Sequence, residues 1–255
     1  MRWHAGLAGA TQVTAGIPTF SQDEIDYPSS DGEPMAETPL HGAAMVSAMQ
    51  ELTRHYASRA DVTVGMNMLF YYEEGRPAAR FAPDVYVAVG APKRHRRTYK
   101  TWVEPVPPNF VLEVSSKGTW LEDMGNKKAL CAKLGVEDYF VFDPEGEYLD
   151  PRLQGFHLEA GQYRPARAAS DGSLQIQSLD LRVCIDGDVL RFVDVHSGRE
   201  LVHTEELERR AEEAARLYAE EARLRQEEAR LHQEQARRLR AAEAEIKRLR
   251  GELDK

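Results

Sequence analysis

The chain is poor in cysteine, in long apolar runs and in excess positive charge. Only Cys131 and Cys184 occur among 255 residues. Two thiols cannot staple a domain of this size, and they lack the paired spacing of a zinc site, so the expected compartment is a reducing cytoplasm. No stretch approaches the roughly 18 apolar residues of a membrane span, and the start lacks a hydrophobic signal core. The sequence therefore predicts neither membrane insertion nor export. With 33 Lys+Arg against 42 Asp+Glu the net charge is −9, which excludes a protein that coats DNA through overall positive charge. A local basic groove stays open.

What is present divides the chain into three parts. Residues 1–26 read as an irregular N-terminal segment, 27–203 as one domain, and 204–255 as a charged helical tail. Apolar positions from Ala44 to Tyr56 recur every three or four residues, which predicts an amphipathic helix over about 40–58. β-Branched and aromatic runs predict strands at 62–72, 84–89, 110–115 and 138–143. Thr119 is the expected cap of a helix that ends at Gly135. Short strands between Gly155 and Val193, punctuated by Gly and Asp, predict hairpins. In the tail, Glu220-Glu-Ala-Arg-Leu224 recurs seven residues later, and Leu239, Ala242, Ile246 and Leu249 give a short coiled-coil seam. From Glu205 onward there are 14 acids and 13 bases, a balance that favours intrahelical pairs and self-association over DNA contact.

Two acids carry the chemistry. Asp84 follows a proline and opens a strand, and Glu113 lies inside an apolar strand, where an unpaired carboxylate is costly. If they converge, they offer hard oxygen ligands of the kind Mg²⁺ takes, and Lys127 or Lys128 on the next helix could stabilise charge developing on a phosphate. Read alone, Asp84 fits a turn at a strand start and Lys127 a solvated helix position better than a site, while Glu113 fits a structural ion pair as well as a site. Arg94, Arg96, Arg97 and Lys100 form a basic, aromatic-flanked loop that fits either phosphate contact or an exposed polar surface.

The order Ala82-Pro-Asp84, Phe110-Val-Leu-Glu113, Glu122-Asp123-Met-Gly-Asn-Lys127-Lys128 and Leu134 to Pro144 resembles the Uma-two family of restriction-endonuclease-like proteins. The resemblance implies a PD-(D/E)xK nuclease fold: an α/β domain with a mixed central sheet flanked by helices, extended here by C-terminal hairpins and the charged helix. It implies Asp84 and Glu113 as metal-binding acids, Glu37 as an additional acid, and Lys127 as the lysine. Ser115 stands where the superfamily lysine usually lies, and Leu121, Asn126 and Cys131 depart from the family's usual Arg, Lys and Tyr. His41 matches a family histidine.

The expectation is a Mg²⁺-dependent endonuclease, with Mn²⁺ as a substitute, that hydrolyses DNA by a metal-activated water and assembles as a homodimer. The competing expectation is a nuclease-fold module that binds nucleic acid or partners without cleaving. A two-carboxylate glycosidase fits less well, since no aromatic sugar platform surrounds the acids and the lysine would have no role.

Overall fold

The structure, a computed structural model, describes residues 25–30, 32, 38–202, 209, 213, 215–221, 223–227 and 230. Helix α1 (Pro39–His55) begins where its sequence allows: Thr38 is extended, its hydroxyl accepts the His41 N–H at 3.2 Å, and Pro39 occupies the first turn. Its buried face carries Ala44, Met45, Ala48 and Leu52, the spacing expected from the periodicity.

That face covers a six-stranded mixed sheet. The strands are β1 (Val62–Met66), β4 (Val85–Val89), β6 (Phe110–Val114), β7 (Asp138–Phe142), β8 (Leu153–Glu159) and β9 (Gln162–Pro165), adjacent in that order. Within this sheet, among the described residues, only β6 and β7 pair in parallel. Strands β6 and β7 are buried along their whole length, which is why they read as near-continuous apolar runs. One face packs Val85, Leu112 and Phe140 against α1 and a three-stranded antiparallel sheet, β10 (Leu174–Ile176), β11 (Leu181–Asp186) and β12 (Val189–Asp194). The other face packs Tyr86, Val111, Tyr139 and Val141 with Cys131 and Val136. The C-terminal hairpins thus divide: β8 and β9 extend the central sheet, and the remaining strands form a layer of their own.

Two expected elements differ. The strand anticipated over 62–72 breaks after Met66, because Asn67 adopts a left-handed φ of 46° and turns its N–H to the Pro83 carbonyl at 3.0 Å. Asparagine tolerates that conformation where a β-branched residue would not. Beyond it, β2 (Phe70–Tyr71) joins a separate small sheet, antiparallel to β3 (Arg80–Phe81) and parallel to β5 (Tyr99–Lys100). Thr119 precedes the second helix without capping it, since its hydroxyl accepts the Ser116 N–H at 3.1 Å. That helix runs as α2 (Trp120–Glu122), a π-helical turn (Asp123–Lys127) and α3 (Lys128–Leu134) before Gly135 closes it with a φ of 82°. Glu37 and most of the expected charged C-terminal helix lie outside the described residues.

Candidate active site

Strand register builds the site. Pairing of Val85 with Leu112 sets Asp84 beside Glu113 at one end of the sheet. The Asp84 N–H donates to Glu113 Oε2 at 3.4 Å, and Asp84 Oδ2 accepts the Val114 N–H at 2.7 Å. Because side chains alternate, Glu113 and Ser115 face the layer that holds the second helix. The π-helical turn of that helix delivers Lys127, whose Nζ lies 3.0 Å from Glu113 Oε2 and 2.9 Å from Asp123 Oδ1. Asp84, Glu113 and Lys127 therefore meet. Lys128 does not join them, since its ammonium lies 4.2 Å over the Phe156 ring.

Glu113 and Asp123 are fully buried. Burial raises the Glu113 carboxyl well above the ordinary range, and the neighbouring charges of Asp84 and Asp123 add to this while Lys127 opposes it. Burial likewise raises Asp123, with Lys127 opposing. Burial alone would lower Lys127, but Glu113, Asp123 and Asp84 together outweigh it and hold the ammonium above its usual value. The lysine is thus a fixed positive charge among three acids.

Do these residues suit a divalent cation? Among the described residues no three His, Cys, Asp or Glu side chains form a ready-made cage. Mg²⁺ needs less, taking one or two carboxylates and keeping several waters. Glu113 Oε1 is buried with no hydrogen-bond partner among the described residues, and the Asp84 side chain retains 13% exposure beside it. One carboxylate oxygen with an unused acceptor and one carboxylate open to solvent fit that demand.

Sequence reasoning missed Asp123 as a member of the cluster and singled out His41 without giving it a role. Asp123 was visible as an acid four residues before Lys127, the spacing of a helical pair, but nothing in the sequence signalled its burial. His41, on α1, brings Nε2 to 3.6 Å from Asp84 Oδ2; its place at the helix start gave no hint of that partner. The family departures at Leu121 and Asn126 fall on exposed positions, and Cys131 is buried on the inner face of α3.

The basic loop is split in use. Arg96 is almost wholly buried and, with Arg94, binds Glu104 at 2.7–2.9 Å. Its guanidinium also donates to Thr63 Oγ1 and the Pro92 carbonyl, at the end of β4 away from Asp84. Arg97 is exposed. Lys100 sits 4.1 Å over the Tyr27 ring, which packs on Tyr71 and Trp102.

A family model described as a putative restriction endonuclease, Uma2, matches residues 17–186. A solved structure of a putative nuclease of the DUF820 group from Anabaena variabilis is similar at 11% identity, with a TM-score of 0.39 over 51% of this chain and 68% of that one. Nothing among curated proteins matches. The family match spans two thirds of the sequence, and the chain belongs to the Uma2 family of restriction-endonuclease-like proteins.

Proposed function

We propose that this protein is a divalent-cation-dependent endonuclease that hydrolyses phosphodiester bonds of DNA. The observation that carries the reading is the convergence of Asp84, Glu113 and Lys127 from β4, β6 and the π-helical turn, with the ammonium 3.0 Å from the buried acid. Asp84 and Glu113 would hold Mg²⁺, or Mn²⁺ in its place; when bound, the ion supplies an acidified water and neutralises phosphate charge. Glu113, shielded from solvent, keeps its carboxylate in one orientation. Lys127 presents a permanent positive charge beside it, suited to the negative charge that grows on the phosphate or to holding the attacking water. Glu37 would assist as a further acid. Arg97 and Lys100 are the candidate contacts to the DNA backbone, with Arg94 and Arg96 acting through the loop they brace. The tail would join two copies into a homodimer.

The competing reading, a nuclease-fold module that binds without cleaving, draws support from the same lysine: it already serves as counter-ion to Glu113 and Asp123. Cleavage of plasmid and oligonucleotide DNA with Mg²⁺ or Mn²⁺ separates the two. The wild-type protein should cut and Glu113→Ala should lose at least about a hundredfold in rate; equal rates in both proteins reject the assignment.

A further inference from the structure

We propose that Asp123 is a positioning residue, which fixes the Lys127 ammonium against Glu113 and is itself held by Ser115 and the π-helical turn. The inference rests on the reading of Lys127 as the lysine of the site, and goes beyond it by assigning the residues that place that lysine.

Four methylenes leave an ammonium many rotamers, and a single partner on β6 would leave most of them accessible. Lys127 has two partners on two elements: Glu113 Oε2 at 3.0 Å on β6 and Asp123 Oδ1 at 2.9 Å on its own helix. Between two fully buried carboxylates it retains only 17% exposure. Contacts in two directions restrict the ammonium to one place.

Asp123 can hold the lysine because it is itself immobilised. Its other oxygen, Oδ2, accepts the Ser115 hydroxyl at 2.9 Å. Its backbone carbonyl accepts the Tyr139 hydroxyl from β7 at 2.7 Å, and its N–H donates to the Thr119 carbonyl at 2.9 Å. The π-helical turn begins at Asp123 and ends at Lys127. Such turns insert a residue into a helix and recur where a helix must present a side chain off its regular register. Ser115 lies two residues beyond Glu113, just past the end of β6 and on the same face, so a short hydroxyl there reaches the helix while the glutamate reaches the lysine. The end of β6 and the residue that follows it thus hold both ends of the pair.

The test reads the lysine directly. In a ¹H–¹⁵N spectrum selective for lysine ammonium groups, Lys127 of the full chain should give a slowly exchanging cross-peak, as an ammonium held by two buried carboxylates does. Asp123→Asn should abolish that peak while leaving the backbone amide spectrum in place. It should also lower kcat on a DNA oligonucleotide about tenfold or more with KM little changed, the pattern of a group misplaced only in the transition state. Ser115→Ala, a milder change, should weaken the peak and reduce kcat about threefold; it carries the test if Asp123→Asn does not fold. An undiminished Lys127 peak in the folded variants overturns the proposal. Loss of the peak in a protein whose wild type cuts no DNA upholds the positioning role and removes the nuclease reading. Retention of the peak beside normal wild-type cleavage does the reverse.

Discussion

Glu113 and Glu51 are both buried glutamates, and their different neighbours give them different roles. Glu113 has an ammonium at 3.0 Å. Glu51, on the inner face of α1, is 1% exposed and relies chiefly on the more diffuse charges of Arg191 and Arg54 and on the Phe192 backbone N–H. Burial dominates there and lifts its carboxyl from 4.5 to about 7. A carboxyl raised on folding favours the protonated native state, so its stabilisation is present below pH 4.5 and is lost as pH rises through about 7. Glu51→Gln keeps the neutral form at every pH. Urea denaturation should find the variant close to wild type at pH 5 and more stable by on the order of 2 kcal/mol at pH 8. A difference that does not change with pH would sink this account of Glu51.

At the scale of elements, the parts dictated by local pattern were legible and the parts dictated by packing were not. The α1 periodicity, the Gly135 stop and the β4, β6 and β7 runs are all written in residue type. The break at Asn67 is not, because a polar residue inside a β-rich run becomes a turn only when a carbonyl such as that of Pro83 lies in reach. Likewise Asp84 and Glu113 were recognisable as acids out of place, and Lys127 through its order after them, whereas the burial of Asp123 depends on a π-helical turn that residue spacing does not announce. Some glycines also answer to packing. A Cβ on Gly155 in β8 would lie 2.6 Å from the ring of Phe140, which is fully buried. Gly155→Ala should therefore destabilise the protein by about 1–3 kcal/mol in urea denaturation; a loss below about 0.5 kcal/mol would show that the β7–β8 pair repacks freely.

Across the whole molecule, charge is unevenly shared. The tail from Glu205 is nearly neutral, and the preceding residues hold almost all of the negative excess. Part of that excess is the buried carboxylate cluster itself. The basic loop offsets less of it than its composition promised, because Arg94 and Arg96 are bound to Glu104. If the protein acts on DNA as proposed, its binding in the absence of a cation should be weak and salt-sensitive. A bound ion would change the local charge most where Asp84 and Glu113 meet, so the account stands or falls on whether those two acids hold one. Isothermal calorimetry of the full chain with Mg²⁺, repeated with Mn²⁺, tests this directly. The account predicts saturable binding in the wild type that Asp84→Ala abolishes without loss of fold; binding that is absent from the wild type, or unchanged in Asp84→Ala, would contradict it.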